Sequence, residues 1–456
     1  MTDNKTSLTL ILPIALMLFS FFFGAGNFIF PPILGQQAGD NMLIAILGFC
    51  ISGVGLPLTG VIAMALTRSD NPETMVNPVS KMYAKALIII TSLTIGPFFA
   101  IPRTAAVSFD TGILAFIPAG WESNALMVYS FLFFSVTYFL AVNPSKIIDN
   151  IGKILTPMLL TCLGILITFV IFKPMGAVQG AVGDYASIPF FKGFQEGYNT
   201  MDLLASMLFG AATINAIEAK GILNQKLLTK LCIYSGIIAA IFLAVIYGSL
   251  AYMGASSVGL MGLMQNGGQL LSNITSHYFD WYGKVILALI IFFACLTTSI
   301  GVTSSVSGYF NVVFKEKMQY DRYVAIICIF SFVVSNMGLS KLIQFAIPVL
   351  CILYPITIVV VLLNLGNAIF HRDPKIYRPC MFFTTIFAIF DGLRASGTNI
   401  GFVGDLLSAY VPLYDIGFGW ITPCLLGIVV GCIWMLVFHV PQALVLCIVS
   451  FLFLLE

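Results

Sequence analysis

The sequence has few charged residues. Only 9% of its 456 residues are Asp, Glu, Lys or Arg, whereas 59% are hydrophobic. A soluble globular protein carries roughly 25% charged residues. So few charges cannot cover the surface of a water-soluble chain of this length, but they suffice for a chain surrounded by lipid. The net charge of +2 and the lack of basic blocks argue against a nucleic-acid partner.

Sequence signals of catalysis and metal binding are also scarce. Ten cysteines form no C-x-x-C pair and lie in or beside apolar runs, so we interpret them as small hydrophobic residues. The sequence contains no GxxxxGK[ST] loop. An enzyme within the membrane would need a nucleophile–base pair or metal ligands in mid-span, and we find neither. We therefore predict no catalytic activity, no cofactor and no obligate protein partner.

Long hydrophobic runs are abundant instead. A membrane-spanning helix needs about twenty apolar residues, and the runs predict about twelve such helices. We expect an all-α polytopic protein of the lipid bilayer, with residues 1–438 as one transmembrane domain and an apolar tail at 439–456 of uncertain placement. The predicted spans are 9–35, 43–66, 86–117, 125–142, 148–172, 200–217, 231–254, 285–313, 323–337, 342–366, 379–393 and 416–438.

Lysine and arginine are distributed unevenly between alternate loops. If the N-terminus is cytoplasmic, the loops on that side carry about three times as many of these residues as the outer loops. This bias predicts a cytoplasmic N-terminus and an even number of spans. The loops are too short for a soluble domain of ordinary size, which argues against a receptor or an ATP-driven pump.

Two predicted spans are interrupted near their centres. The first contains Gly24-Ala25-Gly26-Asn27, and the sixth contains the segment 209–215, which begins Phe-Gly-Ala-Ala. Glycine weakens a helix, and backbone groups freed at membrane depth must face protein, water or a ligand. Equivalent breaks five spans apart predict two inverted five-helix repeats, although close helix packing would also explain the glycines. The predicted units are repeats at 9–172 and 200–366 and two peripheral helices at 379–438.

The ends of broken helices suit a zwitterion. A half-helix N-terminus carries positive potential, and a half-helix C-terminus carries negative potential. The amides around residues 25–27 are therefore predicted to hold a carboxylate, and carbonyls of the sixth span an ammonium group. No charged side chain is required, and we expect none near either break.

The eighth span is rich in hydroxyl groups. Seven of the eleven residues from Thr297 to Ser307 are serine or threonine. Most are expected to bond to carbonyls of their own helix. Hydroxyl and carbonyl oxygens without formal charge also suit a small hard cation, and broken helices supply further carbonyls.

Several stretches together resemble the bacterial branched-chain amino acid:cation symporters (the BrnQ type). Beside the first, sixth and eighth spans, they include segments 96–109, 197–202 and 334–340, and the resemblance covers about residues 10–438. That family is similar to the larger group with the leucine-transporter fold. The resemblance implies import of leucine, isoleucine and valine by cation symport and alternating access, in the bacterial cytoplasmic membrane.

The resemblance also implies roles for individual residues. The substrate carboxylate would meet the amides near Ala25 and Gly26, with Ser206 near the ammonium group and Phe209 closing the site. One sodium ion is expected, because Leu204 replaces the threonine of a second sodium site; protons are the alternative coupling ion. The implied substrate-binding residues are Gly24, Ala25, Gly26, Asn27, Ser206, Phe209 and Gly210. The implied sodium ligands are the carbonyls of Ser20, Phe23 and Ala294 and the hydroxyls of Thr297 and Thr298.

Arg103 is the only formal charge well inside a predicted span. Intramembrane charges are costly and usually functional. We place it about 10 Å outside the bilayer midplane, counted at the helical rise. Our hypothesis is that Arg103 and Asp202 help to close the outer side of the site as a gate. The alternative is that Arg103 extends outward and pairs locally with Asp110.

Phe98 lies near the estimated midplane of the third span. We expect it to wall an apolar substrate pocket, although simple packing explains it equally well. A channel would need rings of charged or carbonyl groups repeated by symmetry, which one chain with a twofold inverted pattern does not supply. The sequence therefore favours a carrier.

Overall fold

The computed structural model describes residues 8–67, 70–143, 148–398 and 400–439, and in these residues it contains helices and no β-strand. Eight helices in the described chain are long and apolar enough to cross a membrane, or nine with one bent pair counted as a span. The prediction of an all-α polytopic membrane protein is confirmed. The count of twelve spans stays a prediction, and residues 440–456 of the predicted tail lie outside the described residues.

Each predicted span corresponds to helical structure. The helices that we number as spans one to twelve are Leu8–Phe22 with Ala25–Ala38; Met42–Cys50, Ile51–Gly55 and Leu56–Thr67; Lys81–Phe116; Glu122–Ala141; Ile148–Leu155 with Thr156–Phe172; Pro189–Thr200 with Asp202–Glu218; Gln225–Met261; Gly267–Val313; Tyr320–Ser335; Leu339–Leu365; Pro374–Ala395; and Ile421–His439. A short helix, Gly401–Tyr410, lies between the last two spans.

The first span is broken at Gly24, as its sequence indicates. One helix ends at Phe22, the next begins at Ala25, and Gly24 between them is extended, with φ −119° and ψ −158°. A Cβ atom on Gly24 would lie 2.8 Å from the hydroxyl oxygen of Thr298. Glycine therefore allows the eighth span to approach the backbone at this point, which we call the first-span break.

The sixth span bends at a different place from the one predicted. A continuous helix, Asp202–Glu218, runs through residues 209–215, so the break predicted there is wrong. The span bends by 48° at Met201 instead, where φ is +64°. Gly210 serves close packing, because a Cβ atom there would lie 2.8 Å from that of Met64 in the second span.

The third and eighth spans contain interruptions that we did not predict. Gly96 departs from helical geometry, with ψ −119°, within the π-helical turn Thr94–Phe98. The helix resumes at Ala100 and carries Arg103 on its first turns. In the eighth span Asp280 has φ +49°, so a shorter helix precedes the membrane-spanning part.

The described chain forms two compact units. One comprises residues up to 72 and 87–350, and the other comprises residues 73–86 and those from 351 onward. Within the first unit, spans one and seven touch backbone to backbone: a Cβ atom on Gly35 would lie 1.9 Å from the carbonyl oxygen of Ala251. Within the second, Gly427 packs on the backbone of Cys380, where an added Cβ atom would lie 2.6 Å from the Cα atom. The single domain with its two repeats and peripheral helices stays a prediction.

Candidate functional site

Side chains from four other spans converge on the first-span break. Arg103 comes from the third span, Asp202 from the sixth, Tyr247 from the seventh and Thr298 from the eighth. All of them are buried. Because a broken helix frees backbone groups at membrane depth, this convergence supplies the protein surroundings that the break requires.

One side of the break presents oxygen atoms without formal charge. The Thr298 hydroxyl donates to the Ser20 carbonyl at 3.0 Å, and the Thr297 hydroxyl donates to the Ala294 carbonyl at 3.1 Å. Three of these residues are fully buried, and Thr298 is 9% exposed. We call Ser20, Ala294, Thr297 and Thr298 the neutral flank. Phe23, the fifth implied sodium ligand, directly precedes Gly24.

Thr156 of the fifth span also belongs beside this flank, and we did not predict it. Its hydroxyl is hydrogen-bonded to the Ser20 hydroxyl at 2.6 Å and donates to the Ile151 carbonyl at 2.8 Å. The sequence has no signal that would single it out, because a lone threonine in an apolar span ordinarily bonds to its own helix.

The other side of the break contains formal charges. The Asn27 side chain donates from Nδ2 to Asp202 Oδ2 and to the Tyr247 hydroxyl, both at 2.5 Å. Our expectation of no charged side chain near either break is therefore wrong. The reason is the position of the bend: with Met201 as the hinge, Asp202 begins the helix Asp202–Glu218 at the bend itself and does not lie two turns away from it.

Arg103 lies on the same side of the break. It is 4% exposed, and a Cβ atom on Gly26 would lie 2.8 Å from its Nη2 atom. Its guanidinium carbon is 5.7 Å from the centre of the Phe30 ring, within the range of a cation–π interaction. The guanidinium also acts electrostatically on the Asp202 carboxylate. We call Gly26, Asn27, Arg103, Asp202 and Tyr247 the charged flank.

Phe209 and Ser206 lie on the sixth-span helix next to the break. The ring of Phe209 is centred 5.0 Å from that of Phe21 and 5.2 Å from that of Phe22. Ser206 is fully buried, and its hydroxyl donates to the Leu203 carbonyl at 2.7 Å. The rings of Phe21, Phe22 and Phe209 form an apolar layer next to the break, which we call the aromatic layer.

Two of the predicted substrate-binding residues are not brought to the break. Phe98 is 42% exposed, and its ring packs edge-on against Phe330 of the ninth span at 5.2 Å. Gly210 faces Met64 of the second span. The backbone explains both placements: Phe98 lies in the irregular turn that contains Gly96, and Gly210 lies within a continuous helix and not at a break.

A cavity of about 420 Å³ lies on the side of the aromatic layer that faces away from the break. It begins at Phe21 and Leu208 and reaches the segment 70–72 that follows the second span. Asn215, Ser304 and further polar residues line it. Its volume is within the range of small-molecule pockets. By the predicted topology this cavity opens toward the cytoplasm.

Comparisons with known proteins identify the family of this chain. A family model described as "Branched-chain amino acid transport protein" matches residues 7–437. The branched-chain amino acid permease BraB of Bacillus subtilis strain 168 is 42% identical over 418 residues, which is 92% of this chain and 94% of the permease. The permease BrnQ of Escherichia coli K12 is 35% identical over 427 residues, 93% of this chain and 95% of that protein.

Two solved structures share the fold. MhsT in complex with L-phenylalanine has a TM-score of 0.55 at 14% identity, over 96% of this chain and 99% of that one. The closed conformation of Mhp1, a nucleobase-cation-symport-1 family transporter with bound bromovinylhydantoin, has a TM-score of 0.59 at 12% identity, over 92% and 91%. The fold class expected from the sequence, that of the leucine transporter, is confirmed by these likenesses.

Proposed function

The chain belongs to the branched-chain amino acid transport protein family, and from that premise we propose that it is a sodium-coupled symporter importing leucine, isoleucine and valine. It is a multi-pass membrane transport protein and not an enzyme. The proposal adds the coupling ion, the direction and the mechanism. It also places the chain in the bacterial cytoplasmic membrane with a cytoplasmic N-terminus, in keeping with the lysine and arginine bias of its loops.

The observation that carries the proposal is the neutral flank. Hydroxyl and carbonyl oxygens of the buried residues Ser20, Ala294, Thr297 and Thr298 lie together beside a helix break. Such a set suits a small cation better than an organic substrate, and it fits the sodium ligands implied by the resemblance, with the Phe23 carbonyl as a fifth. A sodium ion here would join the inner half of the first span to the eighth.

The substrate would lie at the break itself. Amide groups at the start of the Ala25–Ala38 helix carry positive potential and suit the carboxylate. Phe21, Phe22 and Phe209 would contact the aliphatic side chain. Because sodium steadies the same break that holds the carboxylate, each ligand would raise the affinity of the other. The cavity below the aromatic layer would be the route to the cytoplasm.

A proton-coupled carrier is a second candidate, and one observation favours it. Asp202 is a carboxylate buried within the membrane and bonded to the first-span break. Such groups carry protons in many pumps and transporters.

The test is uptake of labelled leucine into liposomes containing the purified protein. We expect uptake driven by an inward sodium gradient, competition by isoleucine and valine, and little uptake when choline replaces sodium. Uptake that ignores sodium but follows an inward proton gradient would overturn sodium coupling and support the second candidate. Uptake of no branched-chain amino acid under either gradient would contradict both.

A substitution in the neutral flank sharpens this test. We expect Thr298→Ala to raise the half-saturating sodium concentration by about tenfold or more, because one ligand oxygen is lost. Thr275→Ala is the matched control, since Thr275 is a buried threonine of the shorter helix before Asp280 and donates to carbonyls of its own turn. Equal sodium responses of the two variants would contradict the assignment.

A further inference from the structure

Two opposite charges lie buried beside consecutive residues of the first span. Arg103 approaches Gly26, and Asp202 is hydrogen-bonded to Asn27. Each charged residue is only 4% exposed. Charges at membrane depth are costly and ordinarily mark a substrate or ion site, so this pair calls for a functional explanation.

Positive potential at the outer side of the break comes from two sources. Gly26 belongs to the first turn of the Ala25–Ala38 helix, whose leading amide groups have no partner within that helix. The Arg103 guanidinium adds a full charge there, since only the missing Cβ of Gly26 lets it come so close. Its forked donors match the two oxygens of a carboxylate.

Negative charge lies one residue further along the chain. Asp202 accepts a hydrogen bond from the side chain of Asn27, the residue that follows Gly26. The carboxylate and ammonium groups of an α-amino acid are joined through a single carbon atom. The two buried charges therefore lie on one side of the break beside consecutive residues, the positive charge at Gly26 and the negative charge at Asn27, an arrangement that suits the two charged groups of one amino acid.

We propose that Arg103 binds the carboxylate of the substrate and that Asp202 binds its ammonium group. The inference rests on the proposed function, because it takes an amino acid as the substrate, and it assigns recognition of the zwitterion to side chains in addition to helix ends. It differs from the gate that we expected from the sequence. A gate controls access for every substrate alike, whereas a recognition pair distinguishes ligands by their charged groups.

The test is a matrix of three ligands and four proteins. The affinities of leucine, of leucinamide, which lacks the carboxylate, and of 4-methylpentanoate, which lacks the ammonium group, are measured by ligand-induced thermal shift at saturating sodium. The proteins are the wild type, Arg103→Gln, Asp202→Asn and Asp110→Asn. The last is the control, because Asp110 is a half-buried acid of the same span as Arg103.

Each variant should lose affinity for only those ligands that carry its partner group. For Arg103→Gln we expect leucine and 4-methylpentanoate to bind about 10- to 100-fold more weakly, with leucinamide nearly unchanged. For Asp202→Asn we expect leucine and leucinamide to weaken by a similar factor, with 4-methylpentanoate nearly unchanged. Asp110→Asn should match the wild type.

Several outcomes would overturn the assignment. Equal losses for all three ligands in a variant would show a gate or a structural role for that residue. If Arg103→Gln does not fold, Arg103→Lys takes its place, and an unchanged preference for leucine over leucinamide would contradict the forked contact. A wild-type protein that binds neither leucine nor its analogues would overturn the proposed function itself, whereas wild-type leucine binding with unselective variants overturns this inference alone.

Discussion

The two flanks of the first-span break differ in their chemistry although both contact the first span between Ser20 and Asn27. The neutral flank joins the break to the eighth span through hydroxyl and carbonyl oxygens. The charged flank joins it to the third, sixth and seventh spans through formal charges and an amide. The difference fits the two ligands that we propose for one break: a small cation on the neutral side and a zwitterion on the charged side.

The largest effect is expected where the neutral flank touches the backbone. Gly24→Val should reduce sodium-driven leucine uptake by more than about 100-fold, because the new side chain must displace the stiff Thr298 side chain, 2.8 to 3.1 Å from the added Cβ. Gly248→Val is the control, since a Cβ there meets no atom within 4 Å. Retention of a tenth of the activity by Gly24→Val would show that the close contact is dispensable.

The second-largest effect should distinguish the charged flank from the neutral flank. Asn27→Ala removes the donor to the buried Asp202 carboxylate, at a cost of about 1.5–3 kcal/mol for a hydrogen bond to a charge. We expect leucine affinity to fall about 10- to 100-fold, with less than a threefold change in the half-saturating sodium concentration. Asn336→Ala, which removes an amide bonded to Ser130 elsewhere, is the control. A larger change in the half-saturating sodium concentration than in leucine affinity would show that the two flanks do not bind separate ligands.

A smaller effect is expected at Tyr247. Tyr247→Phe removes the hydroxyl that accepts from Asn27 but keeps the ring stacked near Phe23. A neutral hydrogen bond contributes about 0.5–1.5 kcal/mol, so leucine affinity should fall about three- to tenfold. Binding titrations of this variant and of Tyr278→Phe, whose hydroxyl bonds to the Lys173 carbonyl, provide the comparison. Equal leucine affinities of the two variants would show that the Tyr247 hydroxyl does not contribute to substrate binding.

The smallest effect should come from the support of the neutral flank. Ser20→Ala keeps the carbonyl of Ser20 and removes only the hydroxyl bonded to Thr156. We expect about a threefold rise in the half-saturating sodium concentration and no change in leucine affinity at saturating sodium. Because both residues share one bond, adding Thr156→Ala should change little more. Fully additive effects would show that the two hydroxyls act separately.

Local sequence was sufficient for the features that depend on composition and on single residues. The apolar runs predict the all-α membrane fold because lipid admits few alternatives to helices. Gly24 marks the first-span break because glycine weakens a helix wherever it stands in one. The pairing of Thr298 with the first span followed from resemblance to a family, and the structure brings those groups into contact.

Only the tertiary structure determined where the sixth span bends and what meets the first-span break. Methionine is a poor marker of a left-handed backbone, so the hinge at Met201 has no local signal. Its position places Asp202 against Asn27, turns Gly210 toward the second span and leaves the aromatic layer below the break. The sequence by itself therefore determined that this protein is a membrane carrier with a broken first span, whereas packing between distant spans decided which charges the break faces.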